Sequence, residues 1–116
     1  LVRRDTGEKC DFPVDVLVKE VGRILKDIHG DLYKKALEYR TSHTELVDTW
    51  DDFVQVIESG GFALAHWCGD ALVEKQIKEE TGATIRCIPF DQPEEAGKCV
   101  KTGKKSSKRA LFGRSY

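Results

Sequence analysis

Apolar side chains first recur at helical spacing just after Pro13, where Val14, Leu17, Val18, Val21, Ile24, Leu25 and Ile28 mark one face of a predicted helix. Gly30 interrupts this run, and Asp31 is expected to begin a second helix carrying Leu32, Ala36 and Leu37. Asp48 or Thr49 is placed to cap a third helix with Trp50, Phe53, Val54 and Ile57 inward, and Gly60-Gly61 stops it. From Phe62 to Trp67 the pattern changes to a short apolar run suited to a buried strand. Asp70 then caps a helix through about Glu80, with Gly82 as its left-handed terminator. Ala83 to Phe90 predicts a second strand, ended by Pro89 and the loop from Asp91 to Gly97. Lys98–Lys101 and Lys108–Arg114 are expected to pair as a hairpin, while residues 1–4 read as the tail of a strand closed by Asp5-Thr6-Gly7. Helices followed by a small sheet predict an α+β fold: a helical connector, then a mainly antiparallel sheet with a packed helix, in two layers. No internal repeat is visible.

The length, 116 residues and 13.1 kDa, suits one compact domain, or one domain plus a fragment of another, and allows a core without staples. No apolar run approaches the roughly 20 residues that span a bilayer, and the first residues lack a signal-peptide layout, so no membrane partner and a cytoplasmic location are expected. The chain does not begin with Met and is expected to be part of a longer one.

A net charge of -1 hides an asymmetry. Seven basic and no acidic residues lie between Lys98 and Tyr116, leaving twelve basic against twenty acidic residues before them. Such a basic end is a candidate surface for phosphate or carboxylate partners. It keeps open a stand-alone RNA- or protein-binding module built on residues 98–114.

Catalytic chemistry is hard to place here. His29, His43 and His66 are scattered, no glycine loop follows a strand in a phosphate-cradling pattern, and no self-contained active site is legible. Cys10, Cys68, Cys87 and Cys99 show no zinc-knuckle spacing, and four cysteines without a secretory signal point to reduced thiols. His66 and Cys68 share one face of a strand, but two ligands do not make a structural zinc site. A thiol or metal protein using His66, Cys68 and Cys99 is the third reading of the residues.

Four ordered strings carry more information: GGFALAHWCGD, KEETGATIRCIPFDQ, GKCVKTGK and the terminal RALFGRSY. Together they resemble the C-terminal domain of the archaeal/eukaryotic-type prolyl-tRNA synthetases. LVRRDTGEK resembles the last strand of that family's anticodon-binding domain, and LYKKALEYRTSHTELVDTWDDF resembles its helical connector. The resemblance implies residues 1–12 as the end of the anticodon-binding domain, 13–60 as connector and start of the C-terminal domain, and 61–116 as a zinc-binding-like α+β domain. It implies a class II parent enzyme, a homodimer joining proline to its tRNA with ATP and magnesium, whose catalytic domain precedes residue 1. The fragment alone is then expected to be inactive.

By the same resemblance Lys9 matches a lysine that reaches the anticodon bases, with Arg3 and Arg4 as further candidates. A lysine donor suits guanine acceptor edges. The carboxylate of Tyr116 would point back toward the catalytic domain. Many relatives hold zinc with four cysteines, and here Cys68 and Cys99 match two of them while Val73 and Thr102 stand at the other two positions. Valine cannot ligate and a threonine hydroxyl is a poor zinc ligand, so zinc is expected to be lost, unless His66 rebuilds the site.

Overall fold

A computed structural model describes residues 1–115; Tyr116, and with it the expectation for its carboxylate, lies outside the described residues. The chain forms two compact units, residues 1–41 and 42–116.

In the first unit the expected strand tail is a single antiparallel bridge between Val2 and Lys9, turned at Gly7 with φ of 75°. Pro13 precedes a 3-10 turn at Val14–Val16, which leads into α1 (Leu17–Ser42). The expected break at Gly30 does not occur: α1 runs through it as one helix of 26 residues. A glycine inside a helix costs only about 1 kcal/mol, and a long helix absorbs that over its many other hydrogen bonds. Flanking ion pairs such as Arg23 with Glu20 and Asp27 support the early turns.

The second unit opens with a strand that the apolar pattern missed, β1 (Thr44–Val47). Then follow α2 (Trp50–Glu58), β2 (Phe62–His66), α3 (Ala71–Thr81), β3 (Ala83–Cys87), β4 (Gly97–Lys98), β5 (Lys105–Ser106) and β6 (Arg109–Arg114). The main sheet has the order β1-β2-β6-β3. β1 pairs with β2 in parallel, while β6 is antiparallel to both its neighbours, β2 and β3. The last strand therefore enters the middle of the sheet. The expected hairpin of 98–101 with 108–114 is replaced by a two-stranded one, in which Gly97 and Lys98 face Ser106 and Lys105. Short-range pairing closes around the Gly103 turn and leaves β6 free for the sheet centre, where its alternating apolar side chains are buried.

α2 and α3 pack together against this sheet and form the second layer. Thr49 caps α2 by accepting from Asp52 N, and Asp70 caps α3 by accepting from Leu72 N, as their positions predict. Gly82 ends α3 with φ of 74°. On α2 the buried face is Phe53, Val56 and Ile57; Val54, expected inward, is only half-buried. These side chains meet Val73 and Ile77 of α3 over a floor of Ala63, Ala65, Ala110 and Phe112. The three alanines keep the sheet surface flat so that Phe53 lies edge-on to Phe112 with centroids 5.1 Å apart.

Candidate functional site

Where β2 ends, the chain gathers its polar core. His66, the last residue of β2, is 3 % exposed. Its Nδ1 lies 3.0 Å from the Ser106 hydroxyl, its Nε2 is 3.9 Å from Glu95 Oε2, and that Nε2 has no hydrogen-bond partner among the described residues. Gly97 lies flat against the ring: a Cβ there would come within 2.2 Å of Nε2, so only glycine fits.

Beside it, Arg109 begins β6 almost fully buried. Its Nη1 donates to the Val47 and Leu64 carbonyls at 3.1 Å each, and its Nη2 and Nε donate to Asp48 and Glu95. Its backbone is matched by the Gln92 side chain, which accepts from Arg109 N and donates to Arg109 O. One guanidinium thus ties β1, β2 and the 91–96 loop to the central strand. Hydrogen bonding to Arg109 holds the Glu95 carboxyl below its ordinary value, and His66 adds a smaller effect of the same sign. Neither Arg109 nor Gln92 stands out in the sequence; an arginine opening an otherwise apolar strand is the available signal.

Cys99 sits in the turn between β4 and β5 and is 2 % exposed, while Cys68, just past β2, is half-buried against the same core. Val100 N donates to His66 O at 3.0 Å and straps this turn across the end of β2. Burial opposes ionisation of the Cys99 thiol. The Thr102 hydroxyl and the N–H groups of Thr102, Lys101 and Cys68 outweigh it and hold the thiol below its ordinary value. Lys101, next in the turn, pairs with Glu80 and stands 4.1 Å over the Trp50 ring. Val73 is buried in the helix–sheet core and Thr102 is exposed beside Cys99. Among the described residues no cluster of three or more His, Cys, Asp or Glu side chains is placed to hold a metal ion.

The prolyl-tRNA synthetase C-terminal family model matches residues 50–116, the whole stretch from α2 onward. The chain belongs to that family. The proline–tRNA ligase of Phocaeicola vulgatus is 51 % identical over 119 residues, covering all of this chain and 24 % of that protein. The corresponding protein of Bacteroides fragilis is 48 % identical with the same coverage. A crystal structure of prolyl-tRNA synthetase from Cryptosporidium parvum, complexed with halofuginone and AMPPNP, superposes with a TM-score of 0.86 at 33 % identity, over 99 % of this chain and 25 % of that one. The chain therefore spans about a quarter of the length of the relatives it matches.

Within this prolyl-tRNA synthetase C-terminal fold, the nucleic-acid candidates lie in the first unit. Lys9 is exposed opposite Val2 in the bridge, and Arg4 is exposed at the turn. Arg3 is different: its guanidinium is held by Asp5 and Asp31 at 2.7 Å each, and both raise its pKa. Its charge is already matched within the unit, which makes it a clamp between the turn and α1. No helix is long and apolar enough to cross a membrane.

Proposed function

We propose that the chain is the C-terminal part of a proline–tRNA ligase, a class II synthetase that joins proline to tRNA(Pro) with ATP and magnesium as a homodimer in the cytoplasm. The carrying observation is coverage: the whole chain aligns with proline–tRNA ligases at about half identity and occupies only 24 % of their length. Its buried His66 and Arg109 serve the fold, since together with the exposed Glu95 they bind one another's strands and loops. The chain is thus a structural and positioning appendage, and Lys9 is its contact to the anticodon, with Arg4 adding phosphate contact.

The chemistry of the donor set supports loss of zinc at Cys68 and Cys99. Structural zinc takes four thiolate or imidazole ligands in a tetrahedron, whereas here two thiols are accompanied by a buried valine and a hydroxyl that donates to sulfur. His66 Nδ1 is engaged by Ser106 and Nε2 faces Gly97 and Glu95, so the imidazole does not complete the set.

Replacing the last quarter of the Phocaeicola vulgatus ligase with this chain tests the reading. The chimera should charge tRNA(Pro), whereas the 116-residue chain alone should show neither charging nor proline-dependent ATP–pyrophosphate exchange. A folded chimera without charging activity overturns it. In the chimera, Lys9→Ala should raise KM for tRNA several-fold and leave the exchange reaction unchanged. The exposed Lys98, Lys104, Lys105 and Lys108 favour a second reading as a free RNA-binding module. That reading requires the isolated chain to bind RNA with an affinity that falls steeply with salt.

A further inference from the structure

Cys68 and Cys99 are 31 positions apart in the chain, yet Cys99 lies in the core and Cys68 packs against that same core. The strap from Val100 N to His66 O fixes the β4–β5 turn across the end of β2, and the Cys68 N–H faces the Cys99 sulfur. Both are free thiols. They differ in access, Cys99 being sealed in the core while Cys68 reaches the surface beside Gly69 and Ser107.

We propose that Cys68 and Cys99 form a reversible dithiol–disulfide pair, oxidised by low-molecular-weight disulfides of the glutathione class. The inference rests on the zinc-free reading given under the proposed function. The thiolate of Cys68, the accessible one, attacks one sulfur of glutathione disulfide, which forms a mixed disulfide and expels one glutathione thiolate. The Cys99 thiolate then attacks Cys68 Sγ, which closes the intramolecular bond and expels the second glutathione thiolate. Two protein thiols give up two protons and two electrons, and one glutathione disulfide becomes two glutathione molecules. Burial assigns the order: a tripeptide disulfide cannot reach Cys99, whereas the neighbouring Cys68 sulfur can. Within the unit that holds both thiols, Cys87 lies at the exposed end of β3, away from the strap. Closure replaces, with a covalent bond, the link between two loops that four ligands and a metal supply in relatives with the complete cysteine set.

The test uses the reduced 116-residue chain, in a chelator and without oxygen, treated with oxidised glutathione and analysed by intact mass and non-reducing peptide mapping. The expected product has lost the mass of two hydrogen atoms and yields a linked peptide joining Cys68 to Cys99; dithiothreitol reverses it. Cys99→Ser should stop at one stable glutathione adduct on Cys68. A Cys10→Ser, Cys87→Ser double variant should still form the link, and it keeps the test decisive if Cys99→Ser fails to fold by circular dichroism. A persistent adduct on Cys68 with Cys99 still free, links to Cys10 or Cys87 instead, or a link formed only in denaturant would each overturn the proposal. Metal content measured on the protein before chelation separates this outcome from failure of the zinc-free reading: bound zinc sinks the latter, while the chelated sample still reports on the thiols.

Discussion

Arg109 donates to two strand carbonyls and two carboxylates from the start of the central strand, and so holds three segments together. Removing it leaves the Val47 and Leu64 carbonyls without their buried donor, frees the exposed Asp48 and Glu95 carboxylates, and opens a cavity at the start of β6. Arg109→Ala is therefore expected to destabilise the domain by about 2–4 kcal/mol, chiefly through the two carbonyls, read from urea unfolding. Its partner gives a pH signature. Glu95 is held below its ordinary pKa when folded, chiefly by the hydrogen bond to Arg109. A depressed folded pKa contributes stability above the unfolded value and loses it as pH falls through the folded one. The melting temperature should therefore drop as pH goes from about 4.5 downward, and Glu95→Gln should lower stability at neutral pH and flatten that acid limb. A wild-type and Glu95→Gln profile of identical slope would rule out the linkage.

Among the elements, α3 shows how local chemistry and packing agree. Asp70 caps its start, Val73 and Ile77 face the sheet, and Gly82 turns the chain into β3 with a left-handed φ. A Cβ at position 82 would also stand 3.0 Å from the Arg114 guanidinium, which donates to the Thr81 carbonyl at the helix end. Gly82→Ala should cost roughly 1–2 kcal/mol from the backbone conformation, with an equal drop in stability when Arg114 is already truncated if conformation dominates over crowding. These features were legible because each depends on residues within one turn. β1 was not, because four residues from Thr44 to Val47 carry too little periodicity and its pairing partner lies across α2. Gly30 misled for the opposite reason: a breaker signal was local, while the continuity of α1 is a property of its whole length.

At the scale of the whole molecule, Val73 and Thr102 are the positions at which the zinc-free reading is tested. Val73 belongs to the core that joins α3 to the sheet, and Thr102 stays at the rim beside Cys99. Introducing Val73→Cys with Thr102→Cys should give tight zinc uptake near one equivalent by plasma mass spectrometry, against far less for the parent chain. A double variant that folds and takes up no zinc would overturn the account of a lost four-cysteine site. The disulfide alternative closes a loop of about 30 residues, which in the chain-entropy account is worth on the order of 3–4 kcal/mol. The oxidised domain should therefore melt well above the reduced one.

The sequence by itself determined the α+β class, the caps and stops of α2 and α3, the buried run of β2, and family membership through four ordered motifs, since those signals are local or are carried in residue identity. Its reading of the candidate site stopped at residue types: two thiols, a buried histidine, and basic residues near the start. Only the tertiary structure decided that Arg3 is spent on Asp5 and Asp31, that β6 runs between β2 and β3, and that Arg109 binds three segments. It also decided that Cys68 and Cys99 meet. The physical reason is common to all four. Each depends on partners that local sequence does not announce: Asp31 is 28 positions from Arg3, and the strand, guanidinium and thiol contacts form only once the sheet has closed.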